Sequence, residues 1–394
     1  MLLALEWLCR NTIGECVSDR FAEIRPYDDH EVSTVINRLK SDTELLDSII
    51  NLRLGGKGLW LTPILRPLVR WGLGRQLRDV HDVASFQSLV RSYMDQMIDI
   101  STAGFEVSGL DELPDEPYLF VSNHRDIALD PAFTNYALHT RGRTTCRIAI
   151  GDNLLSKPWI ADLMRVNKSF IVKRALQGPR QLLAASKLLS EYIGSSINED
   201  NSPVWIAQRE GRAKDGFDAT EPAVIKMLLL GRDKTLEFGE SLAKLRIVPV
   251  SISYELDPCD AMKARELAII ARDGRYSKAE HEDAKSIAVG ISGSKGMVSI
   301  RFGSVLGAEF DSIEQVVAEI DRQVTSHYQL HPSNIWAWQR LNPGQELPKA
   351  LSVSKGSISK AQFYARIDAL SVEEQPFMLA MYANSVEQAL NTGA

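Results

Sequence analysis

The chain has 394 residues with 44% hydrophobic and 24% charged side chains, which is ordinary globular composition and excludes a disordered or fibrous protein. Its 45 Lys and Arg against 51 Asp and Glu give a formal net charge of −6. This acidic balance argues against a general nucleic-acid-binding protein, because phosphate contacts need a surplus of cations. We therefore expect no nucleic acid among its partners.

The start of the chain and its cysteines predict a cytoplasmic protein. The opening stretch, MLLALEWLCR, lacks the basic start of a secretory signal, and no apolar run reaches the ~18 residues of a membrane span. Cys9, Cys16, Cys146 and Cys259 form no Cys-x-x-Cys pair, so they indicate reduced thiols rather than disulfides or a zinc site. The 7 histidines show no metal-ligand spacing, and the sequence indicates neither a metal nor a cofactor.

Residues 1–104 predict a helical N-terminal region. Apolar residues recur at helical spacing in 31–52 and again in 84–100, with a glycine-rich break at 55–58 between them. This region therefore precedes the main domain as a set of helices rather than as strands.

Segment 59–77 within this region has the composition of a membrane-interface segment. It combines tryptophan and aliphatic residues with charged residues that are all arginine, so apolar groups can enter the acyl boundary while arginines meet lipid phosphate. An ordinary helical hairpin packed on the main domain is the alternative. Pro63 and Pro67 argue against one long regular helix here.

Residues 105–310 predict an α/β domain, and 311–394 predict a helical C-terminal region. Short β-rich runs, several of them continuously apolar, alternate with helical patterns, as in strands covered on both faces. The expected fold class is α/β, a layered domain with a mostly buried mixed sheet, flanked by helical N- and C-terminal regions. The predicted strands are 105–109, 117–122, 146–150, 168–173, 203–207, 246–254 and 297–303. The predicted helices are 131–140, 158–166, 177–194, 260–284, 312–328, 332–342, 359–370 and 373–391.

The stretch 122–131 carries the first candidate catalytic residues. An apolar strand runs into Asn123 and His124, and Asp126 and Asp130 follow within two turns. A histidine at a strand end can act as a general base when a carboxylate fixes its tautomer and stabilises the imidazolium. A surface histidine with helix-capping aspartates would give the same pattern.

Two further strand ends supply candidate substrate-binding residues. Arginine and lysine donate charge-assisted hydrogen bonds to phosphate, and a glycine lets the backbone approach a ligand closely. Each loop alone would also fit a charged surface loop. Because ligands of α/β sheets bind at the carboxyl ends of strands, three such ends together favour one ligand cleft. The candidates are Lys173, Arg174, Arg209, Glu210, Gly211, Arg212 and Lys214.

In this order the segments resemble the glycerolipid acyltransferase superfamily, which includes glycerol-3-phosphate and 1-acylglycerol-3-phosphate acyltransferases. Its blocks are Asn-His followed by Asp, an apolar strand ending in Arg, an apolar strand followed by Glu-Gly and basic residues, and an apolar strand with Pro. The resemblance covers about 105–260, and in the last block we expect a core strand with its proline at a bulge or an edge. The matching segments are 123–131, Phe170–Arg174, Ile206–Gly216 and Ile247–Tyr254.

The resemblance departs from the family pattern at one point. Five residues separate His124 from Asp130 where the family usually has four, and Asp126 lies only two positions after the histidine. Either the loop has a one-residue insertion, or Asp126 has taken the orienting role. The Leu-Asp-Pro context favours Asp130.

The resemblance implies an O-acyltransferase that needs no cofactor. His124 would take the proton of an acceptor hydroxyl, whose oxygen would attack the thioester of acyl-CoA or acyl carrier protein. The implied acceptor is glycerol-3-phosphate or 1-acylglycerol-3-phosphate, in phospholipid biosynthesis at the inner face of the cell membrane. Two alternatives stay open: a catalytically silent membrane-peripheral protein on the same scaffold, and an acyltransferase for a non-phosphorylated lysolipid.

Overall fold

The computed structural model describes residues 19–54, 61–174, 176–279, 282–348 and 351–392. Over these residues a sheet of seven strands lies at the centre, and helices pack on both of its faces. The strands are β1 (Thr102–Ser108), β2 (Leu119–Ser122), β3 (Arg147–Gly151), β4 (Ser169–Val172), β5 (Val204–Ala207), β6 (Ile247–Tyr254) and β7 (Gly296–Phe302). Each strand overlaps one of the β-rich runs that the sequence predicts.

The sheet is mixed, with the strand order β1-β7-β6-β2-β5-β3-β4. The strands from β6 through β2, β5 and β3 to β4 run parallel to one another, whereas β7 runs antiparallel to β6 and parallel to β1. The predicted α/β class with a mixed sheet is therefore confirmed. Because β2, β4 and β5 are parallel, the loops that leave their carboxyl ends lie at the same end of the sheet.

Helices precede the sheet, alternate with its strands and follow it. None of the described helices is long and apolar enough to cross a membrane. They are α1 (Asp29–Ser41), α2 (Thr43–Leu54), α3 (Thr62–Gln76), α4 (Val83–Ser101), α5 (Leu129–Thr140), α6 (Pro158–Val166), α7 (Pro179–Asn198), α8 (Pro222–Leu228), α9 (Phe238–Ala243), α10 (Asp260–Asp273), α11 (Glu282–Ser292), α12 (Ile313–Ser326), α13 (Pro332–Leu341), α14 (Lys360–Asp368) and α15 (Gln375–Thr392).

Alternate side chains of the central strands enter two different hydrophobic cores, as the pleat of a strand requires. Leu119 and Val121 of β2 pack with apolar residues of α7, α8 and α12, whereas Phe120 packs with residues of α5. All eight residues of β6 are buried. The expectation of a mostly buried sheet is therefore also confirmed, and it explains why these strands are continuously apolar.

The expectation that Pro249 lies at a bulge or a sheet edge is wrong. Pro249 lies in regular register with Val121, inside a strand that has neighbours on both sides. The ladder between β6 and β7 begins one residue later, where Val250 pairs with Phe302. The missing N–H of the proline therefore removes no bond from that ladder, and its carbonyl still accepts from Gly303 N at 2.8 Å.

Two helix predictions also need correction. The pattern at 260–284 is not one helix. Helix α10 ends at Asp273, because the next residue, Gly274, has a φ of 76° in the left-handed region that stops a helix, and α11 begins only at Glu282. Conversely, α3 is continuous despite its prolines. Pro63 lies in the first turn, where no N–H is needed, and Pro67 lies within the helix.

The described cysteines are free thiols. Cys146 and Cys259 are both buried and unpaired. Cys9, Cys16 and the first two residues of segment 59–77 lie outside the described residues, as does the glycine-rich break at 55–58.

Candidate active site

The loop between β2 and α5 holds His124 beside Asp130. After Ser122, the side-chain amide of Asn123 pairs with the backbone of Ile252 in β6: Oδ1 accepts from N at 2.8 Å and Nδ2 donates to O at 3.0 Å. This pairing continues the sheet by one residue and fixes the direction in which the chain leaves it. The next residue, His124, has Nδ1 2.8 Å from Oδ2 of Asp130.

The imidazole of His124 is arranged to accept a proton at Nε2. A carboxylate accepts hydrogen bonds, so in the neutral imidazole Nδ1 carries the hydrogen and Nε2 keeps its lone pair. Nε2 has no hydrogen-bond partner in the part of the chain that the structure describes, and the ring, 14% exposed, lines a cavity. The ring of Trp205 contacts the imidazole edge-on at a centroid distance of 5.8 Å. This contact restricts the tilt of the imidazole.

Asp130 is fully buried, and four donors reach its carboxylate. Oδ2 accepts from His124 and from the backbone N–H groups of Arg125 at 2.6 Å and Asp126 at 2.9 Å. Oδ1 accepts from the hydroxyl of Tyr254 at 2.6 Å. A buried charge is tolerated only with such partners, and this one is placed to stabilise an imidazolium. The loop accommodates its five-residue spacing by turning two backbone N–H groups back onto the carboxylate.

Asp126 forms no hydrogen bond to His124 in the structure, as it would have to if it oriented the imidazole. Its Oδ1 accepts from the backbone N–H groups of Ala128 and Leu129, both at 2.9 Å, so it caps the first turn of α5. Burial raises the pKa of Asp126, and the nearby charge of Asp130 raises it further. Asp130 rather than Asp126 is therefore the carboxylate in contact with His124, while the catalytic roles of all three residues stay predictions.

A cavity of about 900 Å³ brings the predicted site residues together. It lies at the carboxyl ends of β2, β4 and β5, as their parallel arrangement requires. Much of its wall is apolar, with methionine, leucine, isoleucine and valine side chains from α4, α6, α7 and α11. The predicted residues that line it are His124, Lys173, Arg174, Arg209, Glu210, Gly211, Arg212 and Lys214.

Three of the five predicted cations that line this cavity already have a carboxylate partner. Lys173 pairs with Glu23, Lys214 pairs with Glu266, and Arg174 Nη1 lies 3.3 Å from Oε1 of Glu210. These partners come from the N-terminal region, from α10 and from the loop after β5, residues 208–216, which we call the cation loop. The sequence gives no indication of the first two pairings.

The remaining two cations, Arg209 and Arg212, are available to an anion. Neither forms an ion pair with a carboxylate within the described residues. Arg212 Nη1 donates to the hydroxyl of Ser286 in α11 at 2.8 Å, and Nε of Arg209 is buried without a hydrogen-bond partner. A buried guanidinium nitrogen that lacks an acceptor is unfavourable, and a bound anion would relieve it.

Helix α15 of the C-terminal region helps to hold the His124 loop and the cation loop together. The sequence does not predict this role. Arg125 Nη2, buried, donates to Asp218 Oδ2 at 2.5 Å and to the carbonyl of Gly216 at 3.1 Å, and so joins the His124 loop to the cation loop. Gln388 of α15 binds the backbone of Asp218 twice, at 2.8 Å to its N–H and 2.6 Å to its carbonyl. These partners lie 93 and 170 positions apart, so no local pattern connects them.

Comparisons with known proteins give one family. The family model described as Acyltransferase matches residues 104–253. No curated protein matches the chain. Among solved structures, the 1-acyl-sn-glycerophosphate (LPA) acyltransferase PlsC from Thermotoga maritima is 13% identical and aligns with 74% of this chain and 94% of its own, at a TM-score of 0.37.

The family match covers the residues that carried the resemblance. It contains the His124 loop, both cation-bearing strand ends and nearly all of β6. The predicted resemblance is thereby confirmed, and with it the expectation of an enzyme. The part of the chain that matches an acyltransferase, residues 104–253, contains every residue of the predicted site.

Proposed function

We propose that this enzyme transfers a fatty acyl group from acyl-CoA or acyl carrier protein to a hydroxyl of glycerol-3-phosphate or 1-acylglycerol-3-phosphate, in phospholipid biosynthesis. The observation that carries the proposal is that the free Nε2 of His124 and the unpaired cations line the same cavity of about 900 Å³. Apolar walls suit an acyl chain, and arginines suit a phosphate. We assign catalysis to the 105–310 domain, with the helical regions 1–104 and 311–394 supporting it.

The proposed step needs only groups that the cavity provides. Nε2 of His124 takes the proton of the acceptor hydroxyl while the hydroxyl oxygen attacks the thioester carbonyl carbon. A carbon–oxygen bond forms, the carbon–sulfur bond breaks, and the departing thiolate takes the proton from the imidazolium. Asp130 keeps Nδ1 in place and stabilises the imidazolium between these two transfers.

We assign the acceptor phosphate to Arg209 and Arg212. A phosphate monoester carries close to two negative charges near neutral pH, and two cations without carboxylate partners match it. Lys173, Arg174 and Lys214 would first have to exchange their present partners, and Glu210 and Gly211 would only shape the loop.

An acceptor without phosphate is the second candidate. The observation in its favour is that three of the five predicted cations already pair with carboxylates. The silent-protein alternative rested on the spacing between His124 and Asp130, and that argument loses its basis because the two side chains are hydrogen-bonded at 2.8 Å.

We also propose that the enzyme lies on a membrane surface, at the inner face of the cell membrane. On α3, Ile64, Leu68 and Trp71 are 71%, 61% and 63% exposed and follow one another at helical spacing. On another part of the same helix, Arg66 pairs with Asp47 of α2 at 2.6 Å. The helix thus packs by one face and leaves an apolar face in solvent, as an interfacial helix would.

The experiment that tests this function is a substrate panel with the purified protein. Labelled palmitoyl-CoA and palmitoyl–acyl carrier protein are each combined with glycerol-3-phosphate, 1-acylglycerol-3-phosphate and monoacylglycerol. The last two differ only in the phosphate, so their ratio of kcat/KM measures what the cations contribute. We expect acyl transfer to a phosphate-bearing acceptor and poor use of monoacylglycerol.

The opposite ranking would replace the phosphorylated acceptor with the neutral lysolipid. Absence of acyl transfer in every combination would contradict the proposed function. The His30→Ala variant is the control for effects of mutagenesis and purification, because His30 is exposed on α1 and lies outside the cavity.

A further inference from the structure

Tyr254 is the one donor that reaches Oδ1 of Asp130 within the described residues. The other three donors, including His124, all bind Oδ2. A carboxylate held at one oxygen alone can still turn about its Cβ–Cγ bond. The 2.6 Å bond from the phenol of Tyr254 to Oδ1 opposes that rotation.

The position of the Tyr254 hydroxyl is itself fixed by the fold. Tyr254 is the last residue of β6, its side chain is 4% exposed, and its ring packs against Phe133 of α5 at a centroid distance of 6.1 Å. Burial raises the pKa of Tyr254 well above the usual value, and the charges of Asp130 and Asp126 raise it further. The phenol therefore keeps its proton and stays a donor over the whole pH range in which an enzyme works.

We propose that Tyr254 is a positioning residue for acyl transfer, which holds Asp130 in the orientation that binds His124 and takes up part of the carboxylate's negative charge. This inference rests on the proposed role of His124 as the base. Without the phenol, the N–H groups of Arg125 and Asp126 would still hold Oδ2 beside His124, but Asp130 would present more negative charge to an imidazolium, and His124 would take up its proton at a higher pH. The neutral imidazole is the form that accepts the hydroxyl proton, so activity would be lost at the acidic side first.

Other charged side chains lie around His124 and Asp130, and the variants used in the test leave these side chains unchanged. Asp126 precedes α5, and Asp257 and Lys263, which are ion-paired with each other, follow β6. Lys295, the residue before β7, lies near Asp126. The charged side chains that line the cavity are Arg91, Lys173, Arg174, Arg209, Glu210, Arg212, Lys214, Glu221, Lys278 and Asp283.

The test is the Tyr254→Phe substitution, which removes one oxygen and keeps the ring. The protonation of His124 is followed by NMR of imidazole-labelled protein, with the resonance assigned from a His124→Gln variant. We expect the titration midpoint of His124 to rise by roughly half a unit to one unit, and the acid limb of kcat to move with it. We expect kcat to fall roughly 10-fold, as for loss of one hydrogen bond to a charged group, with KM of both substrates unchanged.

Tyr382→Phe is the matched control. Tyr382 is also buried, and its hydroxyl also donates to a buried carboxylate, Oδ2 of Asp260 at 2.8 Å, at a site without contact to His124. We expect this variant to lose stability without moving the His124 midpoint. If the Tyr254 variant behaves like the Tyr382 variant, Tyr254 has a structural role only and the inference is overturned.

A second variant covers the case in which Tyr254→Phe does not fold. Fluorotyrosine at position 254 keeps the ring and makes the phenol a stronger donor, so the His124 midpoint should fall, and an unchanged midpoint would contradict the inference. The NMR result does not depend on the substrates. A shifted midpoint in a protein that transfers no acyl group would support the coupling of Tyr254 to His124 and refute the proposed function.

Discussion

The His124 loop and the cation loop lie at the same end of one sheet but are held in different ways. Around Asp130, short side chains and backbone N–H groups form buried hydrogen bonds, and every carboxylate oxygen is satisfied. In the cation loop, long side chains form partly exposed ion pairs, such as that of Arg174, 39% exposed, with Glu210, 69% exposed. Exposed pairs of this kind contribute little to stability.

This difference follows from what each loop has to do. A general base works only if its geometry is set before the substrate arrives, because a small displacement of the reacting atoms costs much of the rate. A phosphate site has to release its own partners when the ligand binds, and weak ion pairs make that exchange easy. Substitutions in the first loop should therefore lower kcat, and substitutions in the second should raise KM.

The largest effect among the neighbours of the base is expected at Asp130. Asp130→Asn keeps the shape but removes the charge that stabilises the imidazolium, and we expect kcat to fall roughly 10²-fold or more. Asp126→Asn should lower kcat less, because Asp126 binds the first turn of α5 rather than His124. Steady-state kinetics of the two variants provide the ranking, and a larger loss for Asp126→Asn would show that the orienting carboxylate has been misassigned.

The next effect is expected in the cation loop. Arg212→Gln should raise the KM of the phosphorylated acceptor roughly 10-fold or more, the size of one hydrogen bond to a charged group, with little change in the KM of the acyl donor. Lys173→Gln is the matched comparison, because that cation already pairs with Glu23 and should matter less. Loss of donor affinity alone in Arg212→Gln would instead assign this arginine to the phosphates of CoA.

A smaller effect is expected from the C-terminal region. Gln388→Ala removes both bonds to the backbone of Asp218, so we expect the free energy of unfolding to fall by about 1–2 kcal/mol and the acceptor KM to rise a few-fold. Gln375→Ala, which removes a bond to Leu370 in the same region, should leave KM unchanged. Denaturant unfolding and steady-state kinetics measure the two effects. Equal acceptor KM values in the two variants would show that α15 does not support the acceptor site.

The smallest effect is expected at the exposed face of α3. Trp71→Ala should weaken binding to anionic vesicles roughly 3- to 10-fold, because the aromatic surface no longer enters the bilayer interface. Binding should also weaken as salt rises, since exposed arginines attract lipid phosphate over only ~8–10 Å. Val372→Ala, at another exposed apolar residue, is the control in the same flotation assay. No association of the unaltered protein at low salt would make α3 a packing element only.

The sequence predicts the strands and the strand-end loops because both depend on local information. A run of apolar β-formers is buried on both faces wherever it lies, and the residue after the strand is then at the end of the sheet. This is why His124, Arg174 and Arg212 are found in one cavity. The sequence pattern does not predict the helix boundary at Gly274, although the signal of this glycine is local, because the apolar pattern continues across it.

What the sequence does not predict depends on partners far along the chain. In the sequence, Tyr254 is one more aromatic residue at the end of a core strand. Only the fold brings its hydroxyl to Asp130, 124 positions away. The same holds for Lys173, whose charge is neutralised by Glu23, 150 positions before it. A count of cations in sequence therefore overstates the charge that is free to bind a phosphate.

The most direct test of the account is the rate of acyl transfer by the His124→Ala variant, measured with the best donor and acceptor of the panel. Loss of the general base should lower kcat by roughly 10²-fold or more, while circular dichroism and thermal unfolding show an intact fold. The His30→Ala control should keep the rate of the unaltered protein. Acyl transfer at the unaltered rate by a folded His124→Ala variant would contradict the assignment of His124 as the base.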